Sequence, residues 1–517
     1  MKKLKLVCVA IAMAGAAPTF AGGLLTNTNQ HVAFNRMMSR EASIGIDGVY
    51  YNPAGVVFMG EGHHLAINWQ LAYQTRTINN DYKLFTNNVN NPITPRDFKG
   101  KAFAPVIPSF QYAYNKGKWS FQANFSLTGG GGKCTFDDGL GSFEKIVAET
   151  AIAACGLAGA VDQVAAQYGV PAVFTSDKNF GKEGKYSYNS YMHGRQYYYG
   201  LSLGTAYKFS DNFSAFAGVR GVYASTNYYG YVENIKVGAM PLYKVLDPTK
   251  ETAANIELSC DQSGVGFTPI IGVDFKTGKW NFAAKYEFKT RIRLKNKSVN
   301  QAPSIGNLPD NLRNAYITGG VPEAAANAII GNPVIQGAMG QLKTQFDAKL
   351  EKAIGEYEDG KKIAGDIPGY LALGIGYSPV DAVRVNVGFH WFDDKNATSY
   401  NNRNKELKRG TLEYNAGVEV DVNKKITLST GWQNTNYGLS DEYMDDKSFV
   451  VGSNSAAIGG VYHINKKMDL NVAYFHTFYQ HKKTSETVQL AADKSIVYNS
   501  DYTRNNNVFA VGLDINF

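Results

Sequence analysis

Taken two residues at a time, most of this chain alternates between apolar and polar positions. VRVNVGFHW puts Val383, Val385, Val387, Phe389 and Trp391 on one face of a strand, with Arg384, Asn386 and His390 opposite. TLEYNAGVEVD sets Leu412, Tyr414, Val418 and Val420 against Glu413, Asn415 and Glu419. ITLSTGW and MDLNVAY follow the same rule, as do KWNFAAKYEFK and YYYGLSLGTAYKF. The chain ends on VFAVGLDINF, where Phe509, Val511, Leu513, Ile515 and Phe517 share one face and Asp514 and Asn516 the other. Charged residues recur within these strands, but on one side only. A dry sandwich core has no place for them. A barrel with lipid outside and a polar lumen does.

The connections alternate in length. Tight turns fall at Asn115-Lys116-Gly117, Ser210-Asp211-Asn212, Thr277-Gly278, Ser378-Pro379-Val380-Asp381, Asn423-Lys424 and Asn465-Lys466-Lys467. Between them run long segments, near 77–102, 129–190, 235–256, 296–364, 396–408, 436–448 and 484–503. Short turns on one side and long loops on the other are the habit of outer-membrane barrels. The expected fold is therefore all-β, a transmembrane antiparallel β-barrel of about 14 strands. An even number leaves both termini in the periplasm.

Two of the long loops read as partly helical. SFEKIVAETAIAACGLAGAVDQVAAQYG is rich in Ala and free of Pro. In the second, Asn332 caps, Pro333 takes the first helical position, and apolar residues recur every three or four positions. Ile335, Met339, Leu342, Phe346 and Leu350 lie on that stripe. It either packs against the other helical loop or contributes an apolar surface on which a substrate docks.

The N-terminus indicates export. Lys2, Lys3 and Lys5 precede the run LVCVAIAMAGAA, and Thr19-Phe20-Ala21 forms a small-x-small cleavage site. Residues 1–21 are expected to be a signal peptide, with the mature chain starting at Gly22. With 33 Tyr and 28 Phe at a negative mean hydropathy of -0.27, the composition suits a barrel with aromatic girdles. The net charge of +8 is spread out, so nucleic-acid binding is not indicated. Cys134, Cys155 and Cys260 remain after the signal, an odd number that permits at most one internal bridge. A Cys134–Cys155 bridge would staple one long loop. Neither metal-ligand spacing nor a nucleophile–base arrangement points to an enzyme or a cofactor.

Residues 22–61 stand outside the strand series, ahead of the barrel at 62–517. The segment is too short for an independent domain but long enough to plug a lumen. Its Tyr51-Asn52-Pro53-Ala54-Gly55 resembles the N-terminal hatch of the FadL family of long-chain fatty acid and hydrophobic-compound transporters. A weaker echo follows at Asp366-Ile367-Pro368 and Trp391. The resemblance implies a fourteen-stranded barrel, a lumenal hatch, hydrophobic substrates and release through the wall, with the lateral opening in the third strand. There Gly129, Gly130, Gly131 and Gly132 are the candidate kink, expected to close that strand. Asn52, Pro53, Ala54 and Gly55 are the candidate gating residues, expected against the wall near the third strand.

Each methylene moved into water costs roughly 0.8 kcal/mol, so a water-filled pore is a poor conduit for acyl chains. Capture on the outer loops, binding in the lumen and sideways release past the hatch would avoid that cost. The expected partners are the hydrophobic substrate, outer-membrane lipid and, through the last strand, the barrel assembly machinery; the protein is expected to be a monomer. The rival readings are a general or solute-specific porin, and an adhesion or scaffold barrel acting through its loops.

Overall fold

A computed structural model describes residues 25–491 and 494–517. The expected signal peptide and the start at Gly22 lie outside the described residues. The chain closes into an antiparallel barrel of 14 strands. Six come first: β1 (Gly62–Tyr82), β2 (Arg96–Lys116), β3 (Trp119–Phe136), β4 (Tyr186–Lys208), β5 (Phe213–Val237) and β6 (Ile256–Thr277). The next two each run in two pieces, β7 as Trp280–Glu287 and Arg293–Gln301, and β8 as Lys362–Ala364 and Tyr370–Val380. There follow β9 (Val383–Phe392), β10 (Thr411–Asn423), β11 (Ile426–Asn436) and β12 (Ser453–Asn465). The last pair is β13, as Met468–Tyr479 and Lys482–Ala491, and β14 (Lys494–Asn516). β14 pairs with β1 from His64↔Asn516 to Tyr82↔Tyr498, leaving no free edge.

The alternation works as the sequence requires. Outward positions carry exposed Phe267, Ile271, Val273 and Phe275 on β6, while Asp274 beside them is buried in the lumen. Trp119, Trp280, Tyr462 and Phe517 gather at the tight-turn end, and Tyr191, Tyr229 and Tyr231 stack toward the other rim. These are the two aromatic girdles of a membrane barrel.

Three expectations are corrected. The connection near 484–503 is a continuation of β13 and β14 well beyond the neighbouring strands, since β-branched and polar residues keep alternating there. The Gly129–Gly132 run does not close the third strand; β3 continues to Phe136, re-pairing with β2 at Phe103↔Lys133. Cys134, Cys155 and Cys260 are all free thiols, so the Cys134–Cys155 staple does not form. Cys134 is packed inside the barrel wall, whereas Cys155 lies in the loop canopy.

The long loops fold into that canopy. Helix α1 (Val32–Met37) belongs to the hatch, and α2 (Gly141–Ala166), α3 (Leu308–Thr318), α4 (Glu323–Ile330) and α5 (Pro333–Ile354) belong to the loops. Val334 N–H donates to Asn332 Oδ1 at 2.9 Å, the expected cap of α5. α2 is apolar and long enough to cross a membrane by length and composition, but 61% of its apolar window is buried against the other loops. Ile146, Val147, Leu157 and Val161 of α2 join Leu308, Leu312, Ile329 and Ile335 in one core above the barrel.

Candidate transport path

Nearly every residue from Thr26 to Val57 is buried within the barrel. Polar bonds fasten this hatch to the wall around most of its circumference. Asn29 Nδ2 donates to Gln70 of β1, Asn281 Nδ2 of β7 to Ala42 O, Asn386 Nδ2 of β9 to Ser43 Oγ, and Arg36 Nε to Asn471 of β13. Glu419 of β10 pairs with both Arg36 and Arg40, and Arg40 also forks onto Asp47 at 2.7 and 3.0 Å. His390 of β9 bridges Glu41 of the hatch at 2.7 Å and Glu413 of β10 at 2.8 Å. Arg220, Lys285 and Glu287 form a third buried set, and Lys285 Nζ donates to Tyr50 O at 2.6 Å. Removing one member of such a set would strand the others without water.

The expected gating turn sits at the tight-turn end of the lumen. Asn52 Nδ2 donates to Asp274 of β6 at 2.6 Å, and Asn52 Oδ1 accepts from Gly55 N–H at 3.1 Å. Pro53 O accepts from Gln122 of β3 and Ala54 O from Ser214 of β5, each at 2.7 Å. The turn is thus inside the barrel and against the third strand.

Higher on the same strand the wall is interrupted. β2 and β3 pair from Lys116↔Trp119 to Phe110↔Phe125 and resume only at Phe103↔Lys133. On the β2 side the unpaired stretch holds Pro105 and Pro108, which have no N–H to give a ladder. On the β3 side it holds the glycine run, with Gly130 and Gly132 at φ of 69° and 79°. The glycine signal was legible in the sequence; the two prolines facing it carried an equal signal that the sequence analysis passed over.

The hatch segment Thr26–Gln30 covers this interruption. Thr26 bridges Gly129, and Asn27 N–H donates to Thr128 O at 2.9 Å. Asn27 Nδ2 donates to Gly130 O at 2.7 Å and Gln30 Nε2 to Leu127 O at 2.9 Å. From the β2 side, Ser109 Oγ donates to Gln30 O at 2.7 Å. A side chain at position 129 would press on Leu25 O, so glycine is what lets the hatch backbone approach. The Asn52 turn does not reach this site: Gln122 lies five residues below Leu127, about 17 Å along a strand. It connects through its neighbours instead. Tyr50 Oη donates to Asn27 O at 3.1 Å and Tyr51 Oη to Thr28 O at 2.7 Å, while Tyr51 stacks on Phe34. Tyr50, Asn27 and Gln30 were not singled out by sequence, and Tyr51 only as the first residue of the hatch motif, since nothing local marks a tyrosine that clamps a strand surrogate.

Two cavities lie between this point and the loops. One of about 210 Å³ is lined by Leu25, Tyr198, Tyr228, Leu294, Ile363 and Arg403, so Leu25 and Tyr198 flank both the cavity and Gly129. Burial pushes the Glu356 carboxyl on its rim above the usual range. Burial would do the same to Asp445, but Lys447 and Arg403 outweigh it and hold that carboxyl low. The other cavity, about 100 Å³, is apolar and sits in the canopy among Ile146, Leu157, Val161, Phe174, Leu308 and Leu342. Of the α5 stripe, Ile335 and Met339 are buried in the canopy core and Leu342 lines this cavity, so the stripe packs and also borders a greasy chamber. The side chains of Phe346 and Leu350 lie outside those described. On the lumen wall, Arg76 of β1 and Arg504 of β14 face each other directly. Arg76 is fully buried; its Nε donates to Gln74 Oε1 at 3.2 Å, and its two terminal nitrogens have no hydrogen-bond partner among the described residues. Among the described residues no cluster of His, Cys, Asp and Glu is arranged to hold a metal.

No family model matches the chain, nor does any curated protein. Solved structures do. A Pseudomonas aeruginosa FadL homologue superposes with a TM-score of 0.60 at 14% identity, over 96% of this chain and 100% of that one. A TodX monoaromatic hydrocarbon channel, the deltaS2S3 mutant, gives 0.51 at 13% identity, over 96% and 100%. The protein is a transmembrane β-barrel with the FadL/TodX-type fold.

Proposed function

We propose that the protein carries hydrophobic molecules across a bacterial outer membrane by lateral diffusion through its wall. The observation that carries this reading is the unpaired β2–β3 stretch, covered from inside by Thr26–Gln30 in a lumen filled by a hatch. The canopy cavity receives the molecule from outside, the lumen cavity behind Leu25 and Tyr198 holds it, and withdrawal of Thr26–Gln30 opens a sideways exit. The Asn52-Pro53-Ala54 turn anchors the hatch at the periplasmic end and positions Tyr50 and Tyr51, so it acts on the exit through those two rings. Cells lacking the protein are expected to lose uptake of long-chain fatty acids or monoaromatic hydrocarbons while sugar permeation stays unchanged. A large ion conductance of the purified barrel would instead favour a porin.

The lumenal arginines bear on the substrate. A carboxylate is the natural complement of Arg76, whose buried guanidinium has no acceptor at either terminal nitrogen among the described residues. Arg76→Gln is expected to weaken binding of a fatty acid by about tenfold, the scale of one lost charged hydrogen bond, and to leave the matching fatty alcohol unaffected. Titrating both ligands into the variant checks this; an equal loss for acid and alcohol would show that Arg76 only shapes the lumen.

A further inference from the structure

The upper piece of β7, together with the two residues before it, turns a row of cations toward the outside of the barrel. Ile292, Leu294 and Asn296 are buried on the lumen side, so the alternate residues Arg291, Arg293, Lys295 and Lys297 project outward, and all four are exposed. On β8, exposed Lys362 lies directly across from Lys295. Like charges opposite one another destabilise a ladder unless an anion lies between them. Arg293 is partly engaged by Asp366 at 2.8 Å. Among the described residues no carboxylate lies within ion-pair distance of Arg291, Lys295, Lys297 or Lys362; the nearest in register is Asp261, across from Lys297.

The height of this row is fixed by the apolar band beside it. On β6 the outward residues run from Phe275 through Val273, Ile271 and Phe267 to Val265, then change to Ser263 and Asp261. The ten steps from Phe275 to Val265 span about 34 Å along the strand, which a tilt near 40° reduces to about the 25 Å of a membrane band. The β6–β7 ladder is interrupted between Ile270↔Glu287 and Ser263↔Lys295. There Val265 and Phe267, 64% and 69% exposed, stand next to the level of Arg291 and Arg293. Cations therefore begin where the apolar band ends on the loop side, the level of the outer-leaflet headgroups if the barrel is oriented as proposed.

We infer that this face binds a phosphorylated glycolipid of the outer leaflet. Its phosphates lie on Arg291, Lys295, Lys297 and Lys362, and an acyl chain lies along Val265 and Phe267. Neither element alone selects such a lipid. A neutral lipid leaves the cations repelling one another, and a free anion makes no use of the apolar strip. The inference shares only the membrane orientation with the proposed function and does not depend on transport.

The test uses the full-length barrel, delipidated in neutral detergent and titrated with bis-phosphorylated lipid A under native mass spectrometry. The wild type is expected to retain bound lipid A. The variant Arg291→Gln/Lys295→Gln/Lys297→Gln should bind at least tenfold more weakly. Lys99→Gln/Lys101→Gln/Lys483→Gln, which removes the same charge elsewhere on the outer rim, should bind as wild type does. Should the first variant fail to fold, Lys295→Gln alone, which relieves the repulsion with Lys362, should still show a smaller loss. Undiminished binding in the β7 variants, equal loss in the control variant, equal retention of dephosphorylated lipid A, or displacement by millimolar inorganic phosphate would each overturn the assignment.

Discussion

Deleting Gly130 and Gly131, which keeps the in–out parity of β3, is expected to abolish uptake of long-chain substrates while the barrel still assembles. The deletion removes one of the two left-handed glycines in the stretch of β3 that does not pair with β2. It also brings the paired segments at Phe125 and Lys133 closer together, so the wall tightens over the stretch now covered by Thr26–Gln30. On the proposed route, a substrate denied the lateral exit would have to pass through hydrated surroundings, and exposing four methylenes costs about 3 kcal/mol. That corresponds to roughly a hundredfold in rate. Uptake measured in cells with equal surface levels of the two proteins checks this. Normal uptake by the deletion variant would place the exit elsewhere.

Glu419→Ala should loosen the hatch within an intact barrel. Glu419 is the shared acceptor of Arg36 and Arg40, and all three are buried. Arg40 keeps Asp47, but Arg36 retains only neutral partners in Ser429 and Asn471. Leaving a buried cation without its counter-charge costs about 3–5 kcal/mol. The hatch is bonded to the wall at many points, so this loss should appear as transient release rather than unfolding. Trypsin reports it directly: cleavage after Arg36 and Arg40 should be slow in the wild type and fast in the variant. Heat-resistant migration of the barrel should be unchanged. Equal protection of both proteins would show that the hatch is held by its other bonds alone.

The periodicity of the strands was legible because it records a purely local fact, namely which side of each strand meets lipid. Val383 to Trp391 and Phe509 to Phe517 needed no partner to reveal their faces, and they lie as their alternation demands. The alternating turn lengths gave the strand number for the same reason. The hatch motif was also readable, as a rigid turn ahead of the first strand. The continuation of β13 and β14 was misread as a loop, because its sparse apolar residues, Val488, Leu490, Tyr498 and Tyr502, show a common inner face only once they pack against the canopy.

The break in the wall and its cover were not readable in this way. The glycine run marked a weak point in β3, but its significance depends on Pro105 and Pro108 standing opposite and on Asn27 and Gln30 covering the break. Gly417 and Gly431 are bare on the lumen side because Met37 O of the hatch passes against them, a contact between residues some 380 positions apart. The same holds for Arg36 with Glu419 and Glu41 with His390. By itself, then, the sequence determined the barrel, its sidedness and the presence of a plug, since each follows from the solvent preference of neighbouring residues. The tertiary structure alone decided which ladder is left open, which hatch residues close it and which buried charges hold the plug. Those depend on hydrogen bonds and ion pairs that exist only once distant segments share one water-poor lumen.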